Sequence, residues 1–459
     1  MEYISTRNIK KNFSFEDIFL SGLAPDGGLF VPKKIPLSDF EELKKFKSLS
    51  YRELASEIIL KFCDEEFNKN EIKNIITKSY ENFRVNDVVL LKKIDNINLL
   101  ELFHGPTLAF KDIAMQVIGN MYQKILKRNK TKINIIVATS GDTGAAAINA
   151  IKDRENLKIF VLHPDNKISD IQRKFMTTVN SRNVFNIALD GNFDDCQQLV
   201  KSMFADEIFR KSINMSGVNS INWSRIVMQI VYYFFSYFKI SQNNEKINFS
   251  VPTGNFGDIY AGYIAKKMGL PINKLIIATN KNDILKRVVN TGLYKPLKVE
   301  HTVSPSMDIQ VASNFERLIF DVTSQDSSRT LELMNDLKKK GEFKLKDNEL
   351  AKVRENFSAE SLSEDETKLE IKEIYKNLKI LIDPHTAVGI GASKKISSKE
   401  KTIVLCTAHP SKFSKIVEDQ TGVSPEIPEG LGDILSNKEV YKKLPKELKK
   451  VQSYILERI

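Results

Sequence analysis

The chain has 459 residues, 42% of them hydrophobic, and 69 basic against 58 acidic side chains give a formal net charge of +11. That length exceeds what one hydrophobic core can serve, so a multidomain globular protein is expected. Three widely separated cysteines (Cys63, Cys196, Cys406) and dispersed histidines exclude a disulfide framework and a cysteine-based zinc site, and the lysines lie in mixed-sign surface runs such as KELKK without any nucleic-acid motif.

The amino-terminal MEYISTRNIKKNF has no apolar run of the kind a secretory leader carries, so a cytoplasmic location is expected. The first ninety or so residues read as helical. Ser50 with Glu53 forms a capping box ahead of an apolar-periodic run, and a second helix is predicted around Glu71 to Tyr80. This marks residues 1–92 as an N-terminal, mainly helical module.

NINLLEL then reads as a strand, followed by FHGPTLAFKD (Phe103 to Asp112) and the amphipathic IAMQVIGNMYQKILK. Lys111 therefore stands at the start of a helix, where the helix dipole favours anions. Either its stem snorkels to water or its amine has a chemical use. Downstream, short β-branched runs alternate with helical patterns: INIIVAT, LKIFVLH and VFNIAL, each followed by a helix, predict βαβ units on a parallel sheet within residues 93–240. IVMQIVYYFFSYF (226 to 238) is too short to span a bilayer and contains Gln229 and Ser236; it is predicted to be a buried core helix, with no membrane partner. The alternation resumes in residues 241–459 with INFSVP, LIIAT and TIVLCT, while the charged stretch of about 320–378 reads as an exposed helical insertion.

In open α/β sheets ligands bind beyond the carboxyl ends of strands. Three such loops stand out. ATSGDTGAAA (138 to 147) offers Ser140, Gly141, Asp142 and Thr143 at a nascent helix, which is an anion receptor in outline or a simple capped turn. SVPTGNFGD (250 to 258) presents Gly254, Asn255, Phe256 and Gly257 ahead of a helix, a backbone-amide site suited to phosphate that is neither a Walker A loop nor GxGxxG. CTAHPSKF (406 to 413) carries Thr407, His409 and Lys412. A phosphate cradle, a second anion site and a lysine at the mouth of one sheet point to pyridoxal 5′-phosphate held through a Schiff base.

The ordered segments FHGPTLAFKD, ATSGDTGAAA, HPDNKISDIQ, NSINWSR, VPTGNFGD, IATNKND and CTAHPSKF, with STR and APDGGLFVP near the amino terminus, resemble those of threonine synthases, pyridoxal-phosphate enzymes of the tryptophan-synthase-β (fold type II) group. The resemblance implies two open, mostly parallel-sheet α/β domains behind the N-terminal module. It implies a lyase that converts O-phospho-L-homoserine and water to L-threonine and phosphate in threonine biosynthesis. Lys111 would form the Schiff base and move protons, Gly254 to Gly257 would hold the cofactor phosphate, and Thr407 would face the pyridine nitrogen. Ser140 to Thr143 would take the substrate's α-carboxylate. Candidates for the leaving phosphate are Arg225 and Lys412, with Asn222 or Ser224 as neutral donors, because a guanidinium fork matches phosphate. Arg225 paired with a structural carboxylate is the alternative for that residue. A threonine or serine dehydratase of the same fold, or a non-catalytic binder of a phosphorylated ligand, are the alternatives for the whole chain.

Overall fold

Runs rich in isoleucine and valine become strands because branched side chains pack well on a pleated surface, and here they are buried on both faces. A computed structural model describes the chain except residues 95, 96, 166, 167 and 397. Asn96 of NINLLEL and Asn166 and Lys167 of HPDNKISDIQ lie outside the described residues.

Two sheets dominate. One is five-stranded and parallel, in the order Lys442–Pro445, Val184–Asp190, Leu157–Pro164, Ile133–Ala138, Met215–Ser216. The other is six-stranded, in the order Phe357–Ser361, Ile272–Thr279, Ile247–Pro252, Thr402–Cys406, Ile97–Glu101, Leu90–Ile94, parallel except for its last pair. Sheet membership crosses the chain borders expected at 93 and 241. Ile97–Glu101 pairs with Thr402–Cys406, so Leu99 sits opposite Val404, and the late strand Lys442–Pro445 returns to the other sheet beside Val184–Asp190.

The apolar segment 226 to 238 lies in the helix Trp223–Ile240, which is buried along almost its whole length. Among the described residues no helix is long and apolar enough to cross a membrane. The amino-terminal region holds the helices Tyr51–Cys63 and Lys69–Tyr80, each with a complete capping box, and also a three-stranded antiparallel sheet of Asn8–Phe13, Tyr3–Ser5 and Phe30–Pro32 that the sequence patterns do not predict. Arg7 of STR forks onto Glu316 at 2.9 and 2.7 Å, fastening this module to the helix Phe315–Val322. The charged stretch 320–378 is not purely helical: Phe357–Ser361 within it is the edge strand of the six-stranded sheet. Hydrophobic residues of the strand's inner face, Phe357 and Ala359, account for that placement.

Candidate functional site

The carboxyl ends of both sheets open onto one cavity of about 1990 Å³. Its wall includes Lys111, Ser140, Asp142, Thr143, Asn222, Arg225, Gly254 to Gly257 and Thr407, so residues spread over some 300 positions of sequence meet there.

Lys111 begins the helix Lys111–Asn129. The hydrogen bond from the amide of Phe110 to the carbonyl of Thr407 (2.9 Å) and the bridge between Ala109 and Ala408 tie that helix start to the CTAHPSKF loop. The Lys111 amine lies 3.3 Å from Asp142 Oδ2. Burial depresses its pKa, and the cations of Lys412 and Arg225 push the same way against the attraction of Asp142. A neutral amine is what covalent attachment to a carbonyl requires.

The GNFG turn works through its backbone. Phe256 adopts φ 66°, unusual for a non-glycine residue, and its ring is packed 5.3 Å from Phe315 and 5.6 Å from Phe357. Aromatic packing thus holds the strained residue in place. Among the described residues the amides of Gly254, Asn255, Phe256 and Gly257 donate no hydrogen bond, and they stand at the positive end of the helix Gly257–Lys267. Asn314 Nδ2 holds the carbonyls of Asn255 (3.0 Å) and Ser220 (3.2 Å), joining this turn to the NSINWSR segment. A Cβ on Gly254 would sit 2.5 Å from the carbonyl oxygen of Ser306, whereas the nearest atom to one on Gly257 is Asn314 Nδ2 at 3.3 Å. Gly254→Val is therefore expected to weaken cofactor binding at least about tenfold and more than Gly257→Val does, because backbone yields less than a side-chain amide. Equilibrium dialysis of the two variants measures it; wild-type affinity in both would remove the turn from the phosphate site.

Arg225 lies in the first turn of the helix Trp223–Ile240, which is capped by the Asn222 side chain on the amide of Ser224 (3.0 Å). Its guanidinium is buried, faces the cavity, and forms no hydrogen bond or ion pair among the described residues; Nε is fully enclosed. Burial brings its pKa down to about 10 despite the nearby Tyr232 and Asp258. The alternative of a structural carboxylate partner is thus absent from the geometry of the described residues. Asp258 takes hydrogen bonds from Tyr232 (2.5 Å) and Tyr233 (2.9 Å) on Oδ1, and burial pushes its carboxyl up to about 6.

Several roles expected from the loop motifs change. Lys412 does not face the cavity: it is fully buried, with its ammonium 2.6 Å from Asp142 Oδ1 and 2.9 Å from the carbonyl of Thr107. Asp142 is committed to Lys111, Lys412 and Gln172 Nε2 (3.0 Å), so its carboxylate is no receptor for another carboxylate. Gly141 spends its amide on Thr139 Oγ1 (3.0 Å), with a φ of 136° open only to glycine. The hydroxyls of Ser140 and Thr143 have no partner among the described residues and line the cavity. Ser224 is buried away from it, with Oγ unpartnered among the described residues. His409 caps the 3-10 turn Pro410–Phe413, its side chain accepting from the amide of Ser411, and the Thr407 hydroxyl stands at the cavity wall without a partner among the described residues.

The structure also brings in residues that the sequence patterns did not mark. The loop from Ser21 to Gly27 and the segment from Pro296 to Ser313 line the cavity. His385 does too: it bonds Asp383 through Nδ1 (2.7 Å) and accepts the Ser306 amide at Nε2 (3.2 Å), which braces the wall against which Gly254 packs. The DPHTA spacing, an N-cap aspartate two residues before a histidine, was the available signal.

A poised lysine, an amide cradle at a helix start and a free hydroxyl opposite define a pyridoxal-phosphate-dependent enzyme of fold type II. Residues 95–408 match the family model for pyridoxal-phosphate dependent enzymes, 2–80 that for the threonine synthase N terminus, and 386–455 that for the threonine synthase C-terminal region. A threonine synthase of Pseudomonas aeruginosa is 42% identical across 99% of this chain and 98% of its own length. The crystal structure of pyridoxal-phosphate-bound threonine synthase from Brucella melitensis matches with a TM-score of 0.96 at 43% identity, covering 100% of this chain and 99% of that one. The yeast threonine synthase structure gives 0.94 at 39%, covering 100% and 98%. The chain belongs to the threonine synthase family. It is a pyridoxal-phosphate-dependent lyase, and the free amides, the depressed lysine and the unpartnered Thr407 fit that cofactor.

Proposed function

We propose that the chain converts O-phospho-L-homoserine and water to L-threonine and phosphate, with its site residues in the following roles. Lys111 would anchor the cofactor, the GNFG amides would hold its phosphate, and the Thr407 hydroxyl would be the donor offered to its ring nitrogen. When bound, pyridoxal phosphate supplies the electron sink that makes the carbon-bound hydrogens of an amino acid acidic. The Lys111 amine takes and returns protons at the α and β carbons; it lies on the cavity wall, 3.3 Å from Asp142 Oδ2. Ser140 and Thr143 hydroxyls receive the α-carboxylate. Arg225 receives the phosphate: the Cγ–O bond breaks, phosphate leaves, water oxygen joins Cβ, and a proton ends on Cγ.

The observation that carries this reading over a dehydratase is Arg225. A buried guanidinium without a protein anion is costly to keep, and a substrate bearing a phosphate gives it a partner. A dehydratase substrate bears none. Incubating the holoenzyme with O-phospho-L-homoserine is expected to give threonine and phosphate in equal amounts. Phosphate accompanied by an oxoacid and ammonia instead would assign the chain to elimination chemistry without water addition.

A further inference from the structure

Lys111 and Lys412 share one carboxylate. Lys111 approaches Asp142 Oδ2 at 3.3 Å from the cavity side, and Lys412 holds Oδ1 at 2.6 Å from the protein side. Side-chain exposures are 11% for Lys111, 4% for Asp142 and 0% for Lys412, so water screens none of the three well. Asp142 begins the helix Asp142–Ile151 that follows Ile133–Ala138 of the five-stranded sheet, and Lys412 lies in the 3-10 turn Pro410–Phe413 that follows Thr402–Cys406 of the six-stranded one. Their ion pair therefore crosses the floor of the site. Lys412 is further fixed by the Thr107 carbonyl at 2.9 Å and by the ring of Phe175, 5.3 Å from its nitrogen. Thr107 in turn binds Asp112 through its amide (2.7 Å) and hydroxyl (2.6 Å), so a second buried carboxyl lies near Lys412 but is already hydrogen-bonded.

We propose that Lys412 is an electrostatic positioning residue: by claiming the carboxylate of Asp142 from behind, it leaves Lys111 on the cavity side with only a share of that carboxylate, so that its amine gives up its proton more readily for the capture of pyridoxal phosphate. This rests on the reading of Lys111 as the anchoring lysine. The charges that face Lys111 are Asp142, Lys412, Arg225 and, more distantly, Asp258. Arg225 points into the cavity, so its influence vanishes whenever an anion sits on it. Lys412 is outside the cavity and acts at every stage. Without Lys412, Asp142 would be left with one lysine only, and a full carboxylate–ammonium pair would protonate Lys111.

The test is the rate at which full-length apoenzyme captures added pyridoxal phosphate, followed by absorbance as a function of pH. Capture needs the neutral amine, so the rate climbs with pH through the titration of Lys111. Lys412→Met removes the charge at similar length and is expected to move that climb upward by about one pH unit, slowing capture roughly tenfold near neutrality but not at high pH. Asp142→Asn should move it downward, and the double variant should return close to the wild-type profile. A Lys412→Met profile superimposed on wild type, or lowered by one factor at every pH as a purely structural defect would give, overturns the proposal. Should Lys412→Met not fold, Asp142→Asn alone decides, since an unmoved or upward-moved profile contradicts the shared-carboxylate account. Lys111→Ala serves as the control: covalent capture persisting there would take down the anchoring assignment and this inference together, while its loss beside an unmoved Lys412→Met profile would remove the inference alone.

Discussion

Lys111→Ala is expected to abolish the visible absorbance of lysine-bound cofactor and to lower turnover by roughly three orders of magnitude or more. Both losses follow from one atom. On the proposed assignment the amine would provide the covalent link that keeps the cofactor in place and, once released, the base that moves the substrate's protons. The substitution should be mild for the fold, because Asp142 keeps Lys412 at 2.6 Å and Gln172 at 3.0 Å and is not left as an unpaired buried carboxylate. Absorbance spectra of the purified variant, with borohydride reduction and mass analysis of the wild type to locate the reduced adduct, measure both effects. An adduct on another lysine, or a variant that keeps the band without added amine, would remove Lys111 from the centre of the site. Exogenous small amines offer a further check, since they can replace the proton-transfer role but not the tether.

Much of the scaffold was readable because its strands are uniformly apolar and its helices are capped by local signals. INIIVAT, INFSVP and TIVLCT became Ile133–Ala138, Ile247–Pro252 and Thr402–Cys406, and the loops after them line the cavity as the strand-end rule requires. The amino-terminal sheet escaped because NIKKNF is exposed along its length and lacks the burial pattern that marks a strand. The pairing of Ile97–Glu101 with Thr402–Cys406 joins residues some 300 positions apart, which no local periodicity encodes. The site was legible in which residue types it uses and less so in which way they face. In sequence Lys412 and Asp142 look like Arg225 and Ser140, charged or polar groups in or just after the loops and turns beyond strand ends. What separates them is whether a partner from the opposite sheet reaches them first. Lys412 and Asp142 find each other across the floor, while among the described residues Arg225 and Ser140 meet only the cavity.

That distinction gives the second large expectation. Arg225→Ala should raise KM and lower kcat/KM for the phosphorylated substrate by roughly 30- to 1000-fold, equivalent to about 2 to 4 kcal/mol for the loss of charge-assisted contacts to phosphate. Cofactor affinity should stay near wild type, because the amides of Gly254 to Gly257 are a separate set of donors on a different helix start. Thermal stability should hold or rise: the truncation removes a buried cation that no carboxylate among the described residues pairs with, the opposite of what breaking a structural ion pair would do. These signs discriminate. A structural arginine would lose stability and cofactor together, whereas a phosphate receptor loses substrate alone. Arg225→Lys should recover only part of the loss, since a point charge on a shorter head lacks the two-pronged donor geometry. Steady-state kinetics with the phosphorylated substrate, a thermal melt and a cofactor titration on the same preparations read all three quantities. Unchanged kinetics beside a lowered melting temperature would place Arg225 in the scaffold and leave the leaving phosphate to the Asn222 side of the cavity wall.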